Sequence, residues 1–86
     1  MWFTDRDYPK ESKKRGEQGR VSLQLTVSKK GVPIACTITK SSGFEALDRK
    51  TCDLAVKRAR FVIQLDLQGK PMEFRYPITT NWVLAG

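Results

Sequence analysis

Few residues in this chain could carry covalent or metal chemistry, and their types narrow what the protein can do. The 86 residues include two cysteines, Cys36 and Cys52, and no histidine. Histidine is the most common general base and metal ligand, and two cysteines alone do not complete a zinc site. Two alternatives therefore remain for the cysteines, a disulfide formed in an oxidising compartment or a pair of small buried thiols.

Acidic residues in the interior of the sequence are the other candidates for catalysis. They are Asp48, Asp53 and Asp66. None of them has a histidine or a spaced carboxylate partner, which general acid–base and nucleophilic catalysis would require. Asp48 is better explained by a place near the start of a helix, where a negative charge opposes the helix dipole. We therefore predict no enzymatic activity, no cofactor and no metal site.

The balance of charge favours an anionic partner. Sixteen basic residues against nine acidic residues leave a net charge of +7, which favours polyanions or an anionic surface. The candidate basic side chains are Lys10, Lys13, Lys14, Arg15, Lys29 and Lys30. No phosphate-binding glycine motif accompanies them, and the first predicted strand offers no aromatic platform for bases. A small basic domain that binds nucleic acid or another polyanion is thus an alternative function, and we do not expect nucleic acid as the partner.

The chain is short enough to hold only one small core. We expect an extended N-terminal arm over residues 1–7 and a single domain over residues 8–86. A proline and a glycine enclose a short polar helix from Lys10 to Arg15. Its docking onto the body depends on its only apolar anchors, Tyr8 and Pro9.

Two segments alternate apolar and polar side chains, as strands with one buried face do. The apolar positions are Val21, Leu23, Leu25 and Val27 in the first segment and Val32, Ile34, Cys36 and Ile38 in the second. A tight turn at Gly31 joins them into a hairpin. Because Cys36 shares the apolar side with Ile34 and Ile38, its thiol is expected to face whatever covers the sheet.

A long helix should follow the hairpin and cover its inner face. Ser42 and Glu45 have the spacing of a capping box, and the helix is expected from about Ala46 to about Arg60. Its packed side carries Leu47, Thr51, Leu54 and Ala55, with Cys52 at the margin. Helix and hairpin together would then enclose the core.

The C-terminal part predicts a turn and then an edge strand. Residues 61–67 are apolar enough to pack but show no clear period, and a turn is expected at residues 68–71. One side of the following strand carries Met72, Phe74, Tyr76 and Ile78, continued by Trp82 and Leu84. Pro77 lacks the amide proton of a central strand, so this strand belongs at a sheet edge or a bulge. The fold class is α+β, a three-stranded antiparallel sheet packed against one long helix, with a short N-terminal helix.

An ordered set of short motifs carries a family resemblance. In chain order they are Tyr8-Pro9, Gly19, Lys30-Gly31, Ser41-Ser42-Gly43, Leu47-Asp48, Thr51-Cys52, Arg58-Ala59-Arg60-Phe61 and Gly69-Lys70-Pro71. This set resembles the C-terminal domain of TonB energy transducers, from about Asp7 to about Leu84. Cys36 together with Thr51-Cys52 and Trp82 resembles a cysteine-containing subgroup. The chain departs from the family at Ile63, where members often have proline, so the loop to Gly69 is expected to differ.

The resemblance implies a periplasmic module for energy transduction in transport, including siderophore and iron uptake. Such a module captures the TonB box, a short segment of TonB-dependent outer-membrane transporters, and transmits force from an ExbB/ExbD-like proton-driven inner-membrane motor. The parent protein would be anchored in the inner membrane and carry a proline-rich spacer. A periplasmic location also favours a Cys36–Cys52 disulfide over two thiols.

In family members the box peptide adds as an extra strand beside the C-terminal strand. Here that strand corresponds to Ile78, Thr79, Thr80, Asn81, Trp82, Val83 and Leu84, with Trp82 and Tyr76 flanking the partner. Weaker partner contacts are implied for Asp5, Arg6, Asp7 and Tyr8. A structural dimerisation domain, including a homodimer formed by strand exchange, is the remaining alternative.

Overall fold

The computed structural model describes residues 5–84 and shows an α+β fold. The helices are α1 (Lys10–Arg15) and α2 (Glu45–Arg58), and the strands are β1 (Gly19–Val27), β2 (Pro33–Lys40), β3 (Gln64–Leu65), β4 (Pro71–Met72) and β5 (Phe74–Trp82). Strands β2, β1 and β5 form an antiparallel sheet in that order, and β3 pairs with β4 in a separate small hairpin. The predicted fold class is confirmed.

Strand β1 is central, and its alternation supplies the middle of the core. The side chains of Val21, Leu23, Leu25 and Val27 are fully buried, as the period of two predicts. Leu23, Leu25 and Val27 pack with Ala55 and Ala59 from α2 and the segment after it, while Val21 belongs to a second cluster with Leu47 and Trp82. One face of the sheet is thus covered by α2.

Strand β2 follows the predicted pattern along most of its length. Cys36 lies opposite Leu25 and Ile38 lies opposite Leu23, and both pack against the core. Ile34 was expected on the same buried side, but its side chain is 59% exposed. The reason is a shift in register between Thr26 and Val27 of β1, which leaves Ile34 without a partner in the ladder.

Helix α2 has the predicted buried side and a different start. Leu47, Thr51, Leu54 and Ala55 are its buried residues, as predicted. The prediction of a capping box at Ser42 and Glu45 is wrong, because the N-cap is Phe44 and no side chain caps the helix. Ser42 instead donates its backbone N–H to the Asp48 carboxylate at 2.9 Å and its hydroxyl to the same oxygen at 2.7 Å. The chain leaves the helix after Arg58, two residues earlier than expected.

A disulfide joins Cys36 on β2 to Cys52 on α2, across the interface between the sheet and the helix. Both residues pack at the side of the same core cluster. Their Cα atoms are 5.8 Å apart, within the range that a disulfide spans without moving the backbone. The bridge therefore holds the outer strand of the sheet to the helix that covers it.

The N-terminal segment is folded onto the domain where the structure describes it. Asp5–Asp7 form one 3-10 turn, and the Asp7 side chain is buried. The extended arm expected over residues 1–7 is therefore helical at residues 5–7, and residues 1–4 lie outside the described part. Helix α1 ends at Gly16 in the left-handed conformation, as predicted. Tyr8 is buried, and so it serves as the expected anchor.

The segment after α2 differs most from expectation. Phe61 packs against Phe74, with ring centroids 5.9 Å apart. The apolar residues that follow it, Val62, Ile63, Leu65 and Leu67, are exposed, and they lie on the β3–β4 hairpin or directly before it. A turn forms two residues earlier than the predicted 68–71, because the Gly69 N–H donates to the Asp66 carbonyl at 3.0 Å and Pro71 already belongs to β4.

Candidate functional site

The C-terminal strand β5 is bonded to the sheet along one side only. It pairs with β1 at nine successive positions, from Gly19 with Trp82 to Val27 with Phe74, without a register shift. No strand within residues 5–84 pairs with its other side. Backbone donors and acceptors on that side are left for solvent or for another chain. We call this outer side the β5 edge, and it is the candidate site.

The hydrogen-bond pattern shows which residues of β5 face the edge. In an antiparallel strand, the N–H and C=O of one residue both point toward the neighbouring strand on one side, and those of the next residue point toward the other side. The N–H of Ser28, directly after β1, donates to the carbonyl of Val32 at 2.8 Å, toward β2. Even-numbered residues of β1 therefore face β2, and its odd-numbered residues face β5. Because these odd positions pair with even positions of β5, the odd-numbered residues of β5 face outward.

The position of Pro77 is consistent with odd-numbered residues of β5 facing outward. It lies opposite Gln24 in the uninterrupted ladder, and a proline is tolerated there because its missing N–H falls on the outer side. The β5 edge thus presents the backbone of Arg75, Pro77, Thr79 and Asn81. All four contribute a carbonyl, and all except Pro77 contribute an N–H.

On the face of the sheet that α2 does not cover, two pairs of side chains hold the Thr79 and Asn81 region of β5 in register with β1. The hydroxyls of Ser22 and Thr79 are 3.1 Å apart, and Arg20 Nε donates to Asn81 Oδ1 at 2.9 Å. Directly opposite side chains come closest at positions whose backbones do not bond each other. These two contacts therefore support the outward direction of the Thr79 and Asn81 backbone groups.

The outer edge of β2 is the only other free edge of the sheet within the described residues, and it is less suited to receive a strand. Two register shifts interrupt its pairing with β1, one near each end. The strand also begins with Pro33 and ends with Lys40. Irregular pairing, proline and lysine all discourage strand addition. The regular β5 edge is therefore the better template.

The even-numbered side chains of β5 point toward α2, and Trp82 is the most deeply buried of them. Trp82 is 4% exposed, and its indole Nε1 donates to Thr51 Oγ1 at 2.8 Å. Thr51 in turn donates to the Leu47 carbonyl at 2.7 Å. Tyr76 is 42% exposed and packs against Phe61, with ring centroids 4.8 Å apart. Trp82 was expected to flank a partner, but it anchors β5 to the core.

The N-terminal segment supports the same end of β5. The Tyr8 ring lies edge-on to the Trp82 ring, with centroids 5.1 Å apart, and the Tyr8 hydroxyl donates to the Glu17 carbonyl. Burial, and then the negative charge of Glu17, raise the pKa of Tyr8. Asp7 accepts two hydrogen bonds from Arg58, at 2.6 and 2.8 Å.

The Asp7–Arg58 pair is a feature that sequence reasoning missed. The two residues are 51 positions apart, and no local pattern links an acid beside a Tyr-Pro pair to an arginine at the end of α2. The Asp7 carboxylate raises the pKa of Arg58 through its hydrogen bonds, against the effect of burial. The contact fixes the N-terminal turn to the C-terminal end of the helix.

The predicted site residues divide into three groups. Thr79 and Asn81 have outward backbone groups, whereas Ile78, Thr80 and Trp82 turn theirs toward β1. Val83 and Leu84 follow the strand, and the Leu84 N–H donates to Gln18 Oε1 at 2.8 Å.

Of the N-terminal candidates, Asp7 and Tyr8 are buried in contacts within the domain, and Arg6 is exposed. The side chain of Asp5 lies outside the described part. No cluster of three or more potential metal ligands occurs within residues 5–84. In the same part of the chain, no helix has the length and apolar character to cross a membrane.

Comparison with known proteins identifies a family and a relative that this chain is similar to. The sequence model for the Gram-negative bacterial TonB protein C-terminal family matches residues 4–84. The protein TonB of Vibrio cholerae serotype O1 (strain ATCC 39315 / El Tor Inaba N16961) is 33% identical over 79 residues. That alignment covers 92% of this chain and 32% of the relative, so the chain spans about a third of the length of the relative it matches.

Proposed function

The chain belongs to the TonB C-terminal family, and we propose that it captures an extended partner segment by adding it as a fourth strand at the β5 edge. The observation that carries the proposal is the uninterrupted nine-residue ladder between β1 and β5, which leaves the second side of β5 open. In strand addition, main-chain hydrogen bonds supply affinity and alternate side chains supply selection. The outward groups at Thr79 and Asn81 provide the donors and acceptors.

The partner that fits this role is the TonB box of TonB-dependent outer-membrane transporters. A main-chain interaction depends little on sequence, so one module can serve several transporters. Within the parent protein, the domain would lie in the periplasm and transmit force from an ExbB/ExbD-like inner-membrane motor. Family membership supports energy transduction, and the noncovalent capture requires no catalysis by the domain.

The N-terminal segment has a supporting role in this proposal. Asp7 and Tyr8 hold the segment to α2 and to Trp82, and they keep the C-terminal half of β5 in place. Arg6 is exposed, and its side chain is available to a bound peptide. A substitution at Arg6 is thus expected to alter peptide binding without lowering the stability of the domain.

A titration with a TonB-box peptide tests the proposal. We expect the amide resonances of Thr79 and Asn81 to shift most in a ¹⁵N-labelled sample, because their N–H groups would gain acceptors. Thr79→Pro removes one outward donor and should weaken binding about tenfold, since a hydrogen bond lost at the edge is worth about 1 kcal/mol and the ring also obstructs the incoming strand.

Thr79→Ala is the matched control. It keeps the N–H while removing the hydroxyl that contacts Ser22, so peptide binding should be close to that of the unmodified protein. Equal binding by Thr79→Pro and Thr79→Ala, or no amide shifts in β5 at saturating peptide, would contradict strand addition at this edge. A change in molecular mass with protein concentration but no response to peptide would instead favour the dimerisation alternative.

A further inference from the structure

The β3–β4 hairpin and the two residues before it carry five of the exposed large apolar side chains in the described part of the protein. Leu67 at its tip is 101% exposed and Val62 at its base is 81% exposed. Ile63, Leu65 and Met72 are exposed as well. We call these five residues the hairpin patch. Single exposed apolar residues are common, but a contiguous group of this kind usually marks an interaction surface.

The tip of the hairpin is held in a defined shape. The Asp66 carboxylate accepts the N–H groups of Gln68 and Lys70, each at 2.9 Å. The Asp66 N–H donates to the Lys70 carbonyl at 2.8 Å, and Gly69 takes the positive φ of 78° that closes the turn. Leu67 is therefore presented by a bonded turn. The negative charge of Asp66 is directed at backbone donors rather than at the surroundings of Leu67.

Each face of the hairpin carries at least one exposed apolar side chain. Leu65 pairs with Pro71, and Gln64 pairs with Met72. Paired residues project from the same face of a hairpin and neighbouring residues from opposite faces. One face therefore carries Leu65 and Pro71, and the other carries Met72 together with the polar Gln64. A protein surface would cover one face, whereas the boundary between lipid headgroups and acyl chains can surround both faces and the tip.

Basic residues lie near the base of the hairpin and in the turn at its tip. The backbone N–H of Phe61 donates to the Gly31 carbonyl at 2.9 Å, so the β1–β2 turn lies beside the segment that enters the hairpin. A Cβ at residue 31 would lie 2.2 Å from the Phe61 carbonyl oxygen, so only glycine permits this approach. Three exposed basic residues, Lys29, Lys30 and Arg60, lie in or next to these two segments, and a fourth, Lys70, lies in the tip turn. Glu73, at the junction with β5, is an exposed acid in the same region.

We propose that the hairpin patch inserts into an anionic phospholipid surface, with Leu67 entering first and the surrounding lysines and arginine contacting the headgroups. An exposed apolar hairpin with basic residues at its tip and near its base has the charge and polarity that such a surface complements. The interaction is independent of strand addition, because the hairpin patch contributes no backbone group to the β5 edge. It would place the domain at a membrane face, with the β5 edge still accessible.

Cosedimentation with vesicles tests this inference. The protein should bind vesicles of equal parts phosphatidylglycerol and phosphatidylcholine, bind pure phosphatidylcholine much less, and dissociate as salt is raised. Leu67→Ser should lower the partition coefficient about tenfold, given the contribution of each inserted methylene group. Lys70→Gln should lower it about fivefold, as expected for one cation near the surface.

Val83→Ser is the matched control, because Val83 is 66% exposed but lies outside the hairpin. It should bind vesicles as the unmodified protein does. In a Leu67→Trp variant, tryptophan emission should shift to shorter wavelength on addition of anionic vesicles. Equal vesicle binding by Leu67→Ser and the unmodified protein would overturn the proposal. A change in oligomeric state in Leu67→Ser without a change in vesicle binding would also overturn it.

A peptide titration separates this inference from the proposed function. Leu67→Ser should bind a TonB-box peptide normally, and Thr79→Pro should bind vesicles normally. If the unmodified protein failed to bind the peptide but bound vesicles, that result would count against strand addition alone. The reverse result would count against the lipid interaction alone.

Discussion

The ring of Tyr8 lies edge-on against the indole of Trp82, with their centroids 5.1 Å apart and their planes at 85°. This contact joins the N-terminal segment to β5, the strand whose outer edge is free. Trp82 is fixed from the other side by its hydrogen bond to Thr51 on α2. Buried contacts therefore connect the N-terminal segment to β5 and, through Trp82, to the helix.

Two substitutions at Tyr8 should distinguish the contribution of its ring packing to stability from that of its hydrogen bond. Tyr8→Ala removes a buried ring and should lower the free energy of unfolding by about 3 kcal/mol. Tyr8→Phe keeps the ring beside Trp82 and loses the hydroxyl that donates to Glu17, so it should cost only about 1 kcal/mol. Urea unfolding measures both. If the two variants are equally stable, the ring contact does not hold the N-terminal segment.

The Cys36–Cys52 bridge should make a large contribution to the stability of so small a domain. It closes a loop with a sequence separation of 16, for which the loss of chain entropy in the unfolded state corresponds to about 3 kcal/mol. A double Cys36→Ser, Cys52→Ser variant should therefore unfold at a distinctly lower urea concentration. Intact mass after alkylation without reductant gives an independent check, because two added labels would show that both thiols are free.

Asp48 should make stability depend on pH in the acidic range. Burial acts to raise the pKa of Asp48, but hydrogen bonds from Ser41 and Ser42 outweigh it and lower the pKa below its ordinary value. A carboxylate with a lowered folded-state pKa stabilises the fold at pH above its unfolded pKa, and that contribution disappears as pH falls through the folded value. Denaturation curves at decreasing pH should show this loss.

Asp48→Asn supplies the comparison for that measurement. The variant cannot titrate at this position, so its stability should change less between neutral and acidic pH than that of the unmodified protein. Its stability at neutral pH should be lower, because the amide accepts hydrogen bonds from the serines less strongly than a carboxylate does. Identical pH profiles for the two proteins would show that Asp48 does not contribute.

Pro77 should limit how many hydrogen bonds the β5 edge can offer. Pro77→Val would restore an outward N–H between Arg75 and Thr79, and valine also favours strand structure. We expect tighter binding of a TonB-box peptide and a greater tendency to self-associate, because a proline on an edge strand opposes both. Weaker peptide binding with an intact fold would show that Pro77 makes a favourable contact with the partner.

Much of the fold could be predicted because local patterns and tertiary packing agree. Alternation in β1 and the helical spacing of Leu47, Thr51 and Leu54 both identified the buried faces correctly. Pro77 identified an edge strand because a missing N–H restricts a residue whatever its surroundings. The family resemblance covered almost the same residues as the family match.

Other features depend on contacts between distant parts of the chain. Residues 61–67 have an apolar composition that predicts packing, yet the core is already filled by β1 and α2, and most of this segment is exposed. Trp82 could have faced a partner or the core, and its hydrogen bond to Thr51, 31 positions away, places it in the core.

The amino-acid sequence by itself determined the main helices and strands, most of their buried faces and the family, because these follow from spacing, proline and glycine chemistry, and an ordered set of motifs. Only the tertiary structure decided which backbone groups of β5 face outward, which side chains anchor that strand and where the apolar hairpin projects. Those features depend on register and on contacts across long sequence separations, and local residue patterns do not encode either.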